Sequence, residues 1–325
     1  MPTTFDYAAL ALDVYRDNDR PALPPGWRLY QDFSLQDDTD GYFGACYLLN
    51  NNAAQNSHHI DAIVFAHRGT VLSIDDMLAD VTLALGHVPD QYIVAREFVD
   101  RTLEKIKKDY PDEPLDIHRI LTHTGHSLGA ILSDVMCATG FKKHNIAGVT
   151  SITFENPGSK PILNHMAKEG KILSNALEHT VQHCQIHQTH YNIVNTSNEQ
   201  VNNVRYMNIP FDFDVGGGPI TDIPSEYYAN LYYLMSYSID QHRMRHIYNY
   251  LASEGELFAT SSWPYGFENG YNAYRGMGYD GLPHTDYWDK YIKICWESHR
   301  DIRDKYNHQY QSYHAHFIKN YLAIT

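Results

Sequence analysis

Cysteine is scarce: Cys46, Cys137, Cys184 and Cys295 are the four in 325 residues, far apart and without a Cys-x-x-Cys pair. That argues against a disulfide scaffold and a zinc ribbon, and it fits the reduced, buried thiols of a cytosolic protein. Basic residues are outnumbered, 25 Lys and Arg against 39 Asp and Glu, giving a formal net charge of −14 with histidine neutral. Such a balance argues against nucleic acid as a partner and against simple electrostatic docking on anionic lipid. No apolar run reaches the length of a membrane span, so no transmembrane segment is expected. The start, Met1-Pro2-Thr3-Thr4-Phe5-Asp6, has neither the basic region nor the long apolar core of a secretory signal. The chain therefore reads as soluble, cytoplasmic by default or exported without a classical signal peptide. Repeats and low-complexity tracts are missing as well.

What is present is enough apolar material for a large core, 43% of residues, which excludes wholesale disorder. There are also 20 histidines. Their full protonation would reverse the sign of the net charge, a swing that surface imidazoles with ordinary pKa values would produce without any sensor role.

Along the chain, strand and helix patterns alternate. Residues 4–16 read as a short amphipathic helix. Trp27 to Phe33 and Tyr42 to Leu49 read as a hairpin-like pair of strands, and Ile60 to Ala66 as a short buried strand. A long helix is expected over Tyr92 to Tyr110. A strand at Leu115 to Thr124 is followed by a helix at Ala130 to Phe141. Val149 to Phe154 reads as a buried strand, residues 161–186 as helical, and Tyr191 to Asn195 and Val204 to Ile209 as strands. Helices are expected at Tyr227 to Tyr237 and Asp240 to Leu251. This alternation predicts an α/β fold with a mostly parallel central sheet covered by helices on both faces. Residues 1–254 form the main domain in this reading. Residues 255–325, richer in Trp, Tyr and Gly, form a helical and aromatic C-terminal extension placed to cover the site.

Gly125-His126-Ser127-Leu128-Gly129 is a Gly-x-Ser-x-Gly elbow. The bare pattern would arise by chance in roughly one chain in ten of this length, so its setting decides its meaning. Here a strand precedes it and a helix follows. That turn holds the Ser127 hydroxyl out from the backbone beside a helix N-terminus. A serine hydroxyl becomes a good nucleophile only when a base takes its proton and a carboxylate orients that base. Among downstream histidines (His242, His246, His284, His299), His242 is best placed, opening a helix after a loop. The acid candidates are Glu199, just past the Tyr191 to Asn195 strand, then Asp212, Asp214 and Asp222. Oxyanion donors are expected from the Leu128 backbone N–H and from Thr70, in the loop after Ile60 to Ala66.

Three segments together resemble the class 3 lipase family of the α/β-hydrolase superfamily: Arg68-Gly69-Thr70 after an apolar strand, Thr124-Gly125-His126-Ser127-Leu128-Gly129-Ala130, and Thr153-Phe154-Glu155-Asn156-Pro157-Gly158. Ala9 to Tyr15 and Leu23-Pro24-Pro25-Gly26-Trp27 are similar to bacterial members. The resemblance spans about residues 5–252. It implies an α/β-hydrolase fold and carboxylic-ester hydrolysis, typically of acylglycerols or phospholipids at a lipid–water interface, through an acyl-enzyme and without metal or cofactor. Carried over, Ser127 is the nucleophile, Thr70 and Leu128 the oxyanion donors and His242 the base. The family's acid is usually Asp in an Asn-Asp-x-Val-Pro loop. Asn198-Glu199-Gln200-Val201-Asn202 stands there, with Glu for Asp and no proline, and His67 stands where Phe is common. The resemblance also implies a lid, for which Val71 to Gln91 is the equivalent, with Trp263 to Phe267 as a second cover.

Three alternatives stand beside this reading. His179, His183 and His187 at i, i+4, i+8, with Cys184 and His190 nearby, have the spacing of a helical zinc site, though no His-Glu-x-x-His accompanies them and a solvated helix face is the simpler account. A catalytically silent lipase-like protein would keep the fold for binding or signalling. An acyltransferase would use the same residues with an alcohol in place of water.

Overall fold

The computed structural model describes residues 2–16, 20–33, 42–50, 59–69, 91–111, 120–144, 149–173, 175–189, 200–202, 204–207, 242–254 and 258–261. At its centre lies an eight-stranded sheet in which the strands follow one another in chain order. They are β1 (Trp27–Phe33), β2 (Gly44–Leu49), β3 (Ala62–His67), β4 (Leu121–His126), β5 (Thr150–Phe154), β6 (Cys184–Thr189), β7 (Val204–Met207) and β8 (Phe258–Ser261). β3 to β7 run parallel, and antiparallel pairs close both ends: β1 with β2, β2 with β3, and β7 with β8.

The helices are α1 (Thr4–Asp13), α2 (Gln91–Asp109), α3 (Leu128–His144), α4 (Lys160–Lys168), α5 (Ala176–His183) and α6 (Met244–Glu254). Parallel strands in consecutive order place right-handed crossover helices on one face of a sheet. The core divides accordingly. Ile63 and Phe65 of β3 and Cys46 and Leu48 of β2 pack with α2, α3, α4 and α5. The alternate residues Ala62, Val64 and Ala66, with Ala45, Tyr47 and Leu49, pack with α1 and α6. Period-2 alternation of side chains thus feeds two apolar layers from one set of strands. The central strands are buried on both faces, which is why they read as continuous apolar runs.

The structure departs from the expected elements in three places. α1 is not amphipathic in its setting: Thr4 and every residue from Tyr7 to Asp13 are buried, because the helix is wedged between the sheet and α6. The stretch expected to be helical throughout 161–186 is two helices and a strand, and β6 begins at Cys184 directly after α5. β8 lies beyond residue 254 and joins the sheet through β7, so the sheet runs past the boundary drawn at 254/255. The strand expected at Tyr191 to Asn195 and the helix at Tyr227 to Tyr237 lie outside the described residues, as do the Val71 to Asp90 part of the expected lid and Trp263 to Phe267. No helix among the described residues is long and apolar enough to cross a membrane.

Candidate active site

Parallel register brings the carboxyl ends of β3, β4, β5 and β6 to one edge. Gly125 lies level with His67 and Thr153, and Phe154 lies level with His126 and His187. β4 ends at His126, Ser127 makes the turn, and α3 starts at Leu128. Ser127 has φ 58°, a left-handed conformation uncommon outside glycine and typical of strained functional turns.

Two glycines make this turn possible. A Cβ on Gly125 would sit 2.3 Å from the Gly129 carbonyl oxygen, and one on Gly129 would sit 2.0 Å from that of His67. Backbone therefore meets backbone where β3, β4 and α3 converge. The Ser127 N–H donates to the Phe154 carbonyl at 3.1 Å, tying the elbow to β5. Ser127 is 1% exposed, and among the described residues its Oγ has no hydrogen-bond partner. The Leu128 N–H belongs to the first turn of α3, where backbone donors lack an intrahelical acceptor, and so it is available to a developing oxyanion. A Cβ on Gly69 would approach the Ser127 Cβ to 3.2 Å and the His126 carbonyl oxygen to 2.6 Å. The chain thus enters Thr70 from beside the elbow; Thr70 itself lies outside the described residues.

His242 sits in the turn just ahead of α6. The Nε2–H of His126 donates to the His242 carbonyl, and the two rings lie 4.7 Å apart. A carbonyl can only accept, so His126 Nδ1 is the acceptor for the Tyr15 hydroxyl, at 2.7 Å. The residue preceding Ser127 thereby fastens the His242 turn to the elbow. Burial pushes the pKa of His242 and of His126 down to about 3, because imidazolium is poorly solvated there. Both rings are neutral at pH 7, the state that a proton acceptor needs.

A carboxylate meets His242, and it is one that the sequence reading passed over. Glu155 Oε2 lies 3.8 Å from His242 Nδ1, with both side chains buried. The signal was in the motif itself: Glu155 stands where the resembled pattern, Thr-Phe-Gly-x-Pro, has glycine. It also ends a buried strand at the same edge as the elbow. Glu199, Asp212, Asp214 and Asp222 lie outside the described residues, as do His284 and His299. His246 lies on α6, one turn beyond His242.

Behind Glu155 is a fully buried carboxylate, Asp134 of α3. It accepts from Ser151 Oγ at 2.7 Å, from Asn156 Nδ2 at 2.8 Å and from Ser159 Oγ. Burial raises the Asp134 pKa, while hydrogen bonds from Ser159, Ser151, Cys184 and Asn156 work in the opposite direction. A second buried chain runs beside the elbow strand: Tyr42 Oη to His67 Nδ1 at 3.0 Å, and His67 Nε2 to His123 Nδ1 at 3.0 Å.

The zinc alternative loses its geometry. α5 ends at His183, and His187 lies on β6, so the i, i+4, i+8 face does not exist. No group of metal-ligating side chains is found among the described residues. Among the described residues, Cys46, Cys137 and Cys184 are free and buried.

These observations define a class: an α/β protein whose carboxyl sheet edge gathers a strained serine, a neutral buried histidine and a buried carboxylate. No family model matches the chain. Uncharacterized protein RP165 of Rickettsia prowazekii (strain Madrid E) is 30% identical over 153 residues, 45% of this chain and 39% of that protein. The chain thus spans well under half the length of this curated relative. Among solved structures, the Lip2 lipase from Yarrowia lipolytica is similar over 64% of this chain and 78% of its own, with a TM-score of 0.41 and 16% identity.

Proposed function

We propose that the protein is a serine carboxylic-ester hydrolase of class 3 lipase type on an α/β-hydrolase fold. The observation that carries this reading is the Ser127 turn at φ 58°, fastened through His126 to the backbone of His242. Ser127 Oγ attacks the ester carbonyl while His242 takes its proton. The Leu128 N–H, with Thr70 as its expected partner, receives the oxyanion. His242 then protonates the departing alcohol, and a water molecule activated by the same imidazole releases the acid. Acylglycerols, phospholipids or smaller esters are the substrates this chemistry fits.

Near-complete burial of Ser127 favours one second reading, a lipase-like fold that no longer turns over. A fluorophosphonate probe separates the two. Hydrolase chemistry predicts a covalent adduct mapped to Ser127 and its loss in Ser127→Ala. A panel of p-nitrophenyl esters, triacylglycerols and phospholipids then assigns the substrate class, with an added alcohol testing for acyl transfer. Absence of labelling and of hydrolysis across that panel would leave the silent fold as the answer.

A further inference from the structure

We propose that Glu155, on the turn after β5, is the acid partner of His242, and that Asp134, Gln188 and Gln200 hold that turn in place. The inference rests on the hydrolase reading above and deepens it.

Three observations converge. Glu155 follows Phe154, whose carbonyl accepts the Ser127 N–H, so the carboxylate leaves the sheet from the strand bonded to the nucleophile's own backbone. Its Oε2 lies 3.8 Å from His242 Nδ1, the nitrogen facing away from the proton transfer if Nε2 serves Ser127. A small closure on substrate binding would bring that pair within hydrogen-bonding distance, as is common for catalytic contacts that are long in the free enzyme. Finally, Glu155 has φ 50°, a conformation for which glycine is the undemanding choice.

A non-glycine residue stays there only when its surroundings over-determine it, and here they do. The Glu155 N–H donates to the His187 carbonyl at 2.9 Å. The carbonyl of Asn156 accepts from Gln188 Nε2 at 2.7 Å and from Gln200 Nε2 at 2.6 Å. The Asn156 side chain donates to Asp134 at 2.8 Å and accepts from the Gly158 N–H at 2.8 Å. Asp134, Gln188 and Gln200 therefore act as positioning residues. They aim Glu155 without touching the reacting atoms.

The proton balance closes. As the Ser127 Oγ–acyl bond forms, its proton passes to His242 Nε2. The Nδ1–H points to Glu155, which stays ionised, so the buried imidazolium–carboxylate pair carries no net charge. When the ester C–O bond breaks, the Nε2 proton leaves with the alcohol and the imidazole is neutral again. Among the described residues, His242 and His126 are titratable groups that face Glu155, and His187 bonds it through its backbone.

The test uses the full chain and p-nitrophenyl butyrate. Glu155→Gln should lower kcat/KM by about 10³- to 10⁴-fold, with the loss in kcat rather than in KM. Glu155→Asp, which keeps the charge, should recover at least tenfold of that loss. Glu199→Gln is the competing variant. Independently of whether the variants fold, ¹⁵N NMR of histidine-labelled wild type should show His242 as the Nδ1–H tautomer. A Glu155→Gln variant with wild-type kcat/KM overturns the assignment. So does an Nε2–H tautomer, or a loss at Glu199 with none at Glu155. If the wild type neither labels nor hydrolyses, the hydrolase reading and this inference fall together; if it does both while Glu155→Gln is normal, this inference alone falls.

Discussion

Replacing Gly129 by Ala would put a methyl carbon 2.0 Å from the His67 carbonyl oxygen, 2.8 Å from its carbon and 2.9 Å from the Arg68 carbonyl carbon. All three are backbone atoms, so no side chain can swing aside, and α3 must retreat from the end of β3 by roughly 1 Å to restore an ordinary contact. Overpacking of this kind costs about 1–3 kcal/mol and sometimes more. The helix propensity gained by Ala is at most about 1 kcal/mol, leaving a net loss of about 2 kcal/mol. Gly140, on the same helix, is the internal control. A Cβ there would meet only Val149 Cγ2, at 3.7 Å, so Gly140→Ala should stabilise by up to about 1 kcal/mol. Followed by circular dichroism, the two variants should melt on opposite sides of the wild type, with each kcal/mol worth about 2–4 °C. The clash at residue 129 also displaces the elbow, and misplacement on the order of 1 Å can cost a hundredfold in rate. Esterase activity in Gly129→Ala should therefore fall further than the unfolded fraction explains. A Gly129→Ala protein that melts at or above the wild-type temperature with full activity would refute this account of the elbow.

Three further outcomes are expected. Ser127→Ala should lower ester turnover on the order of a millionfold with little change in far-ultraviolet dichroism; near-normal turnover would remove Ser127 from the chemistry. Asp134→Ala strands the Ser151, Asn156 and Ser159 donors and should cost about 3 kcal/mol or more in urea unfolding; a loss within 1 kcal/mol would show that the hub is dispensable. Mild acid should unfold the protein. His67, His126, His187 and His242 have pKa values pushed down to about 3 by burial, and His123 lies well below its ordinary value. The unfolded chain takes up these protons near pH 6.5 and the folded chain does not. Stability is therefore intact above pH 6.5 and is lost as pH falls toward 3, by on the order of 1 kcal/mol per histidine per pH unit. Asp134, with its pKa raised, contributes in the opposite sense as one group against five. A urea midpoint that is flat between pH 7 and pH 5 would contradict this.

The elbow was legible because its demands are local: Gly125 and Gly129 are the residues that let β4, α3 and β3 meet. The buried strands at Ala62 to Ala66 and Ser151 to Phe154 were legible for a similar reason, having side chains buried on both faces. β6 was not, since Cys184 to Thr189 follows α5 with no Gly or Pro between them, and histidines spaced at i, i+4, i+8 prolong the helical pattern. α1 misled because its environment is set by α6, some 240 residues further on, and no local pattern records that. Glu155 was hidden by its neighbours: a charged residue before Asn-Pro-Gly reads as the start of a turn, and only the tertiary fold, which brings the turn ahead of α6 to the carboxyl edge of the sheet, puts it beside His242. The consecutive strand order is likewise a matter of pairing, which propensity does not encode.

Phe5 of α1 packs at a tilt against Tyr248 of α6, with ring centres 5.2 Å apart, so one layer of the molecule is assembled from segments synthesised far apart in time. During translation, the crossover layer has its helices in hand as each strand emerges. The layer beneath α1 must wait for residues 244–254, leaving Val64 and Tyr47 incompletely sheltered on the nascent chain. His242 arrives with that same segment, so under the proposed mechanism the serine would gain its proton acceptor only as this layer closes, and a chain stalled before it would be sticky before it could be reactive.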